Sequence, residues 1–404
     1  MANFHSYQPE KHFDMAPYQD YGSFAEKGFG EEQRKSVTSG SPIKLENWMS
    51  TIDDETPLSA MSIPGTHDSA AFTSSWPFIS TQRMDTSQQL NGGIRYFDLR
   101  CGAVNDVLEM VHGTAILGLP LEAMLQDMYT WLDAHPRETL IVQIKQDRQT
   151  ENSKRSFSEL MIEALEAKPQ YWRLLGDTPS LGNARGRIQL LRRFTGPRPY
   201  TYGINVTRWQ DNPAQPFTIH TFHGVQLTIQ DHYKFPNPES LPSLVTRKGG
   251  EVAEMLERAA ADPNPHHWYI NFSSAFEFNI YYQIAPREIA TGGYWVFRWV
   301  DGINLRLLTY LKGRPAGKRR YGIVAMDFPE TPAADLVQVV VDSNFPPKEG
   351  EWWRNCLATM AFPLVLLLLV LVMAAAMYLS LHRPEHMGRH WCSTLLHACF
   401  LEDS

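Results

Sequence analysis

This sequence has few cysteines and no long run of one charge, and its amino terminus does not read as a leader segment. Its 404 residues include four cysteines, too few and too scattered for a disulfide framework, which favours a reducing compartment. The formal net charge is −7 and no long lysine- or arginine-rich run occurs, which argues against a dedicated nucleic-acid binder. The amino terminus lacks a basic segment followed by an apolar stretch, so no signal peptide is predicted.

Apolar side chains are abundant, at 43% of the residues, and they suffice for a large core. One uncharged run of 25 residues, 357–381, is long enough as a helix to cross a hydrocarbon layer of about 30 Å. A buried core helix is the alternative, but such helices rarely exceed about 14 wholly apolar residues. The run therefore predicts one transmembrane helix and a single-pass membrane protein anchored near its carboxyl end, with the preceding domain in the cytosol.

The chain divides into five predicted parts. Residues 1–45 are rich in glycine, serine, glutamine, tyrosine and charge without a period, which is typical of a flexible tail. Residues 46–345 are predicted to form the folded domain, and 346–356 a linker to the membrane. The transmembrane helix at 357–381 then leads to a short polar tail at 382–404.

Eight short apolar runs alternate with helix-like segments inside the predicted domain. The runs are 58–65, 94–100, 107–113, 139–147, 187–194, 224–231, 268–274 and 321–328. This alternation over about 300 residues predicts an α/β fold of the TIM type, a (β/α)8 barrel. No helix separates the second run from the third, so the barrel is expected to be irregular.

Polar side chains stand at the carboxyl ends of these runs. They are His67, Asp68, Asp98, Arg100, His112, Lys145, Arg193, Asp231 and Asp327. In a parallel barrel all strand carboxyl ends open on one face, where such enzymes place their sites. One strand-end charge is usually a solvated loop residue, but two histidines with several carboxylates and cations indicate acid–base chemistry on an anionic, hydroxylated substrate.

Several motifs around these residues occur in a fixed order. They are SIPGTHDS at 62–69, RYFDLR at 95–100, His-Gly at 112–113, and further segments at 144–145, 184–193, 229–233, 269–272 and 324–327. This set resembles the X-domain signature of bacterial-type phosphatidylinositol-specific phospholipase C. The likeness covers about residues 45–345, and it implies that the domain at 46–345 is an X-type catalytic barrel.

The resemblance implies cleavage of phosphatidylinositol to diacylglycerol and an inositol cyclic phosphate. By this resemblance His67 is the general base, oriented by Asp327. His112 is the general acid, and Asp68 orients it from the far ring nitrogen. Arg100 stabilises charge on the phosphoryl oxygens, where calcium-dependent relatives place a metal ion, so no metal or other cofactor is implied.

A second set of residues matches the family's substrate-binding positions. By the resemblance Lys145, Arg193 and Asp231 bind inositol hydroxyls, and Tyr233 stacks on the inositol ring. Asp98 belongs to the same expected set, beside Arg100. Arg192 stands next to Arg193 and leaves an ambiguity of one residue, in which Arg193 is favoured.

Two other functions remain open from the sequence. One is the same chemistry on a glycosylated inositol lipid, and the other is a catalytically idle lipid-binding module, which the intact histidine pair disfavours. The expected partners are phosphatidylinositol in a membrane surface and the bilayer around 357–381, with no nucleic acid and no inferable protein partner. Trp76, Phe78, Phe276 and Phe278 follow the first and seventh runs, where aromatic side chains either enter a lipid interface or pack in the core.

Overall fold

The computed structural model describes residues 43–196, 202–237, 239–315, 317–332, 335–347 and 371–378. Within these residues the strands are β1 Ser62–Thr66, β2 Tyr96–Val104, β3 Val107–His112, β4 Ala115–Pro120, β5 Leu140–Gln146, β6 Trp172–Arg173, β7 Ile188–Arg193, β8 Ile204–Asn205, β9 Phe217–His220, β10 Gln226–Gln230, β11 Trp268–Phe272, β12 Glu277–Phe278, β13 Gln283–Ile284, β14 Gly293–Trp295, β15 Arg298–Val300 and β16 Gly322–Met326. The helices are α1 Thr86–Asn91, α2 Leu121–Ala134, α3 Phe157–Ala167, α4 Leu181–Ala184, α5 Leu241–Ala261, α6 Pro286–Thr291, α7 Ile303–Lys312 and α8 Asp335–Asp342, with three short 3-10 helices at Leu45–Thr51, Leu58–Ala60 and Pro169–Tyr171.

The main sheet is built around parallel strands in the order β6-β7-β5-β2-β1-β16-β11-β10-β9. Every neighbouring pair from β6 to β10 is parallel, while β9 runs antiparallel to β10. Their carboxyl ends therefore lie along one edge. This edge brings together the loops that follow β1, β2, β5, β7, β10, β11 and β16.

The prediction of an irregular (β/α)8 barrel is wrong. Among the described residues no strand pair joins β9 or β10 to β6, β7 or β8, so the sheet is curled but open. Seven of the eight predicted runs do contain parallel strands of this sheet. The third run, 107–113, forms β3 instead, which is antiparallel to β2 and to β4.

Close packing between β1 and β2 depends on a glycine. A Cβ atom on Gly65 would lie 2.6 Å from Cδ1 of Tyr96, closer than any real contact. Both strands are fully buried at this point, and Tyr96 extends across the inside of the sheet to Gln143, with its hydroxyl 3.2 Å from the amide oxygen. A larger residue at 65 would separate β1 from β2 and displace the residues that follow β1.

The helices cover the outside of the sheet with their apolar faces. In α2, Met124, Leu125, Met128 and Leu132 are buried against the core, while Glu122, Gln126, Asp127, Thr130 and Asp133 are exposed, which is the 3.6-residue period of an amphipathic helix. The helix α3 begins with a reciprocal cap, in which Ser156 and Glu159 each accept from the other's backbone N–H. These helices fix the sheet so that its carboxyl edge stays accessible.

The predicted transmembrane helix at 357–381 is not supported by the described residues. No helix among the described residues combines the length and the apolar character needed to cross a bilayer. Of the predicted run only residues 371–378 are described, and they are helical. The expected single-pass membrane location loses its support with it.

Other predicted parts of the chain lie outside the described residues. Residues 1–42 of the predicted tail, 348–356 of the predicted linker, 357–370 and 379–381 of the apolar run, and the segment 382–404 belong to this group.

Candidate active site

The first histidine, His67, follows β1 at the carboxyl edge of the parallel strands. Its backbone N–H donates to the carbonyl of Met326 at the end of β16, over 3.0 Å. Both ring nitrogens are held: Nδ1 lies 2.8 Å from Oδ1 of Asp327, and Nε2 lies 2.8 Å from Nη2 of Arg100. Because a guanidinium can only donate, Nε2 accepts and Nδ1 carries the proton. The hydrogen bonds thus select the tautomer whose basic lone pair is at Nε2.

Carboxylates on two sides of His67 control its protonation. Burial by itself lowers the pKa of His67, but the negative charges of Asp327 and Asp68 outweigh burial and the opposing charge of Arg100. The pKa of His67 therefore lies above its ordinary value of 6.5. An imidazole with this surrounding accepts a proton more readily than a free one does.

Asp68 lies in a strained turn directly after His67. Its φ is 41°, in the left-handed region that aspartate tolerates better than most residues. Two side chains from one loop hold the turn: Nε2 of Gln82 donates to the carbonyl of His67 over 2.7 Å, and Oγ1 of Thr81 donates to the carbonyl of Asp68 over 3.1 Å. These bonds offset a backbone strain of roughly 1–3 kcal/mol and keep the Asp68 carboxylate at the site.

The second histidine, His112, ends β3. Its Nδ1 lies 2.7 Å from the carbonyl oxygen of Ile79, and its Nε2 lies 3.3 Å from Oδ2 of Asp68. The same oxygen lies 3.3 Å from Nε2 of His67, so a single carboxylate oxygen separates the two ring nitrogens. The structure thus places Asp68 on the near nitrogen of His112, and the Ile79 carbonyl holds the far nitrogen where Asp68 was predicted.

Arg100, on β2, donates to three groups of the site. Its Nε lies 2.8 Å from Oδ1 of Asp68, and its Nη2 lies 3.2 Å from Oδ2 of Asp98, in addition to the contact with His67. Burial lowers the pKa of Arg100, but the carboxylates of Asp68 and Asp98 more than compensate and raise it well above its usual value. Arg100 is therefore a fixed cation at the centre of the site.

Asp98 supports Arg100 from the inside of the sheet. Its other oxygen, Oδ1, accepts from Nε2 of Gln143 over 2.6 Å. Burial opposes ionisation of Asp98, but the positive charges of Arg100, His67 and Arg193 and a backbone hydrogen bond together outweigh burial and bring the pKa of Asp98 down to about 2. Asp98 is thus ionised at neutral pH, and it holds the guanidinium rather than opening directly to solvent, since its side chain is fully buried.

The ligand atoms of His67, Asp68 and Asp98 lie within 4.8 Å of one another, a spacing that a metal ion can use. Arg100 already donates to all three residues. A fixed guanidinium at this position repels a second cation and satisfies the same oxygens. The charge arrangement therefore favours Arg100 over a metal ion as the positive group of the site.

Lys145, near the end of β5, forms an ion pair with Asp147. The second oxygen of Asp147, Oδ2, lies 4.0 Å from Nη1 of Arg100, so this carboxylate links Lys145 to the centre of the site. Asp147 was not among the predicted site residues. Its position directly after β5, at the carboxyl end of a predicted parallel strand, is the signal that could have identified it.

Arg193 ends β7 and lies over an aromatic ring that sequence reasoning missed. Its guanidinium is 4.4 Å from the centre of the Trp209 ring, and the indole N–H of Trp209 donates to Oδ2 of Asp231 over 2.8 Å. Arg192 instead donates to the carbonyl of Phe194 over 2.7 Å, on the other face of β7. Of the two arginines, Arg193 is the one that lies against Trp209, the residue that donates to Asp231. No motif surrounds Trp209, so the sequence offered no signal for it.

Tyr233 lies two residues after Asp231 and is held by contacts with Phe276 and Asp211. Its ring stacks on Phe276 at a centroid distance of 6.0 Å, and its hydroxyl donates to Oδ1 of Asp211 over 2.9 Å. Burial and the bond to Asp211 raise the pKa of Tyr233, so the side chain is a neutral phenol. The Tyr233 side chain thus follows β10 at the carboxyl edge of the sheet, next but one to Asp231 in the chain.

Exposed aromatic and aliphatic side chains surround the loops after β11. The hairpin β12–β13 presents Ile280, which is 90% exposed, and the hairpin β14–β15 presents Phe297, which is 96% exposed. Of the aromatics singled out in the sequence, Trp76 is exposed, Phe276 packs on Tyr233, and Phe78 meets the ring of Phe278 at 5.3 Å. We call Ile280, Tyr281, Tyr294, Val296 and Phe297 the apolar tips.

The comparison with known proteins places these features in a family. A family model described as PI-PLC X 1 matches residues 55–182. The 1-phosphatidylinositol phosphodiesterase of Staphylococcus aureus strain Newman is 30% identical over 318 residues, which cover 74% of this chain and 94% of that protein. The protein of the same name from Listeria monocytogenes is 28% identical over 301 residues, covering 71% and 82% of the two chains.

A solved structure gives the same result in three dimensions. A mutant of phosphatidylinositol-specific phospholipase C from Staphylococcus aureus matches with a TM-score of 0.62 and 29% identity, over 74% of this chain and 98% of that chain. The resemblance that the motifs indicated is thereby confirmed. The chain belongs to the bacterial-type phosphatidylinositol-specific phospholipase C family of phosphodiesterases.

Proposed function

We propose that this chain cleaves phosphatidylinositol to diacylglycerol and an inositol cyclic phosphate, with two histidines as base and acid and without a metal ion. The observation that carries the proposal is the position of Oδ2 of Asp68, 3.3 Å from Nε2 of His67 and 3.3 Å from Nε2 of His112. Two imidazoles whose reactive nitrogens face one point suit a reaction in which one proton leaves and another arrives. The names of the relatives, 1-phosphatidylinositol phosphodiesterase, support the substrate.

In the first half of the step His67 acts as the base. The tautomer fixed by Asp327 leaves the lone pair of His67 at Nε2. This nitrogen removes the proton from the inositol hydroxyl next to the phosphodiester, and the resulting oxygen attacks phosphorus. Asp327 then stabilises the imidazolium that forms, as carboxylates do in other histidine–aspartate pairs.

In the second half His112 acts as the acid. Its protonated ring donates from Nδ1 to the Ile79 carbonyl and presents Nε2–H toward Asp68. As the bond from phosphorus to the glycerol oxygen breaks, that oxygen takes the proton of Nε2 and leaves as diacylglycerol. The Asp68 carboxylate, 3.3 Å from this nitrogen, orients the ring for the transfer.

Arg100 stabilises the charge that develops on phosphorus. Its donors contact Asp68, Asp98 and His67, and Asp68 also contacts His112. A planar guanidinium offers two donors to two phosphoryl oxygens at once, and its charge needs no cofactor. The chemistry therefore proceeds in this proposal with a fixed cation of the chain itself.

The inositol ring is recognised by the second group of side chains. Lys145, Arg193 and Asp231 supply donors and an acceptor for ring hydroxyls, and Tyr233 offers a flat face to the ring carbons. Trp209 orients both Arg193 and Asp231 through its two contacts. Asp147 and Asp98 act through the cations they hold, Lys145 and Arg100.

The apolar tips support a substrate presented in a membrane surface. Their side chains are too exposed to contribute much to the core, and they lie on loops that follow β11 at the carboxyl edge. Val296 at the tip of β14–β15 has a φ of 59°, an uncommon value for a β-branched residue. A lipid interface is the environment in which such side chains become buried.

Product analysis on a panel of lipids tests the proposal. The full chain is mixed with phosphatidylinositol, phosphorylated and glycosylated inositol lipids, and phosphatidylcholine, each in detergent micelles. Phosphorus NMR is expected to show an inositol cyclic phosphate from phosphatidylinositol, and no product from phosphatidylcholine. Absence of product from every inositol lipid contradicts the proposed activity, and an acyclic first product contradicts the proposed mechanism.

A further inference from the structure

One buried cation of the domain has no part in the chemistry described so far. Lys248 lies in the middle of α5 and is 0% exposed. Its neighbours on the buried face of the helix are otherwise apolar, such as Leu244, Val245 and Val252. A buried ammonium is unfavourable unless it is well hydrogen-bonded, so its partners indicate what it does.

The partners of Lys248 belong to the turn that leaves β10. Its Nζ donates to Oε1 of Gln230 over 2.8 Å and to the carbonyl oxygen of His232 over 2.7 Å. The same Oε1 of Gln230 accepts from the backbone N–H of His232 over 2.9 Å. The ammonium and one amide oxygen together therefore hold both backbone polar groups of His232.

The side chain of His232 is held by the same helix. Its Nδ1 lies 3.0 Å from Oε1 of Glu251, one turn after Lys248 on α5. The amide nitrogen of Gln230 donates to Oδ1 of Asn271 and to the carbonyl of Phe272, each over 3.0 Å, which ties the end of β10 to β11. The backbone N–H, the backbone carbonyl and the ring Nδ1 of His232 are thus all held.

His232 stands between two residues of the headgroup site. Asp231 precedes it and Tyr233 follows it, and both carry the roles proposed above for the inositol ring. Because Lys248 and Gln230 hold the backbone of residue 232, they also restrict the directions in which the side chains of Asp231 and Tyr233 leave the turn. Burial lowers the pKa of Lys248 to about 8, and the negative charges of Glu251, Asp231 and Asp327 oppose that effect.

We propose that Lys248 is a positioning residue for headgroup binding, which holds the turn from Gln230 to Tyr233 so that Asp231 and Tyr233 meet the inositol ring. The proposal rests on the proposed function, because it assigns Lys248 to the headgroup site of that reaction. The hydrogen bonds of Lys248 go to Gln230 and His232, and not to His67, His112 or Arg100. Its loss is therefore expected to weaken binding of the ring and to leave the rate of the bound substrate nearly unchanged.

The test is Lys248→Met, which keeps an unbranched stem and removes the ammonium. We expect KM for phosphatidylinositol in mixed micelles to rise by about 10-fold or more, the effect of losing a hydrogen bond to a charged group. The dissociation constant of free myo-inositol, measured by calorimetry without turnover, is expected to rise by a similar factor. The kcat value is expected to stay within about 3-fold of wild type.

The matched control is Lys312→Met, the same change at an exposed lysine of α7. Lys312 pairs with Asp335 on the surface, at 3.1 Å, and such pairs contribute little. Its KM, kcat and myo-inositol binding are expected to stay within about 2-fold of wild type.

A second variant, Gln230→Met, tests the same turn if Lys248→Met does not fold. It removes the oxygen that Lys248 and His232 share, so KM is expected to rise with kcat retained. In the double variant the two effects are expected to be less than additive, because both act on one turn. A folded variant of either residue with unchanged KM and unchanged myo-inositol binding overturns the positioning role, and so does a loss confined to kcat.

Failure of the proposed function has a different signature. In that case the wild-type chain releases no inositol phosphate, whatever residue stands at 248. Calorimetry then still decides about Lys248: myo-inositol binding that Lys248→Met weakens supports the positioning role, and a wild-type chain that binds no myo-inositol overturns it together with the headgroup site.

Discussion

Nη2 of Arg100 lies 2.8 Å from Nε2 of His67, so the cation and the base of the proposed mechanism meet at one contact. A guanidinium directed at the lone pair of a base masks that lone pair. A phosphodiester entering the site competes for the same donor, because its oxygens carry full negative charge. In the proposed mechanism, we therefore expect binding of the substrate to free the lone pair of His67 for proton transfer.

The two histidines are expected to be required for turnover. His67→Ala or His112→Ala should lower kcat by at least about 10²-fold on phosphatidylinositol, the low end for a group that transfers a proton. Both lie at the edge of the sheet, so circular dichroism should show an intact fold. His220→Ala, at an exposed position of β9, is the control and should keep its activity. Near-normal turnover of His67→Ala contradicts its role as the base.

Asp327→Asn is expected to change the pH profile as well as the rate. The wild-type acidic limb of kcat/KM should lie above pH 6.5, because activity is lost as His67 gains its proton and the pKa of His67 is raised. Without the Asp327 charge, burial is less opposed, so the limb should move to lower pH. The amide also fails to hold the correct tautomer, and kcat should fall by about 10²-fold or more. A limb that stays in place contradicts this account of His67.

The fixed cation is expected to make turnover independent of calcium. Activity of the wild-type chain should persist in excess EGTA and change little when calcium is added. Arg100→Lys keeps a charge but loses the planar fork, and Arg100→Asp removes the cation, so both should lose at least about 10²-fold in kcat. If EGTA abolishes wild-type turnover and calcium restores it, the mechanism has to be rebuilt around a bound ion.

The apolar tips are expected to act on lipid surfaces only. Phe297→Ser should weaken binding to phosphatidylinositol vesicles by about 10-fold or more, since burying a phenylalanine contributes about 1.5–3 kcal/mol. Turnover of a dissolved, monomeric inositol phosphodiester should not change. Phe222→Ser removes an exposed phenylalanine from the turn before β10, at the opposite end of the sheet, and should leave vesicle binding unchanged. Equal losses in both variants contradict a directed membrane surface.

Periodicity in the sequence predicted most of the sheet but not the direction of one strand. The run at 107–113 is apolar like its neighbours, and an apolar run carries no information about parallel or antiparallel pairing. The connection before it does: Asn105 and Asp106, with φ of 52° and 61°, form the two-residue turn of a hairpin between β2 and β3. A parallel connection needs a dozen residues or more, so the short spacing already excluded a barrel strand here.

The candidate site likewise contains residues that the sequence predicted and contacts that it did not. Residues where the parallel pairing ends, such as His67, Arg100 and Asp327, follow from the rule that parallel strands share a carboxyl edge. The carbonyl of Ile79 on His112 and the indole of Trp209 on Asp231 come from loops without a motif, and their contacts depend on how those loops fold back. The apolar run at 357–381 shows the opposite limit, since hydropathy alone overstated what the described structure supports.

The hairpin of β3 and β4 makes the two halves of the proposed acid–base pair mechanically unequal. The base follows β1, which is paired on both sides by parallel strands, whereas the acid ends a strand of an antiparallel ribbon that branches off β2. The ribbon pairs irregularly, with a register shift between Glu109 and Val111. Bending of this ribbon changes the separation of acid and base while the parallel strands keep their register. We therefore expect insertions or substitutions along the ribbon to change the position of His112 more than that of His67.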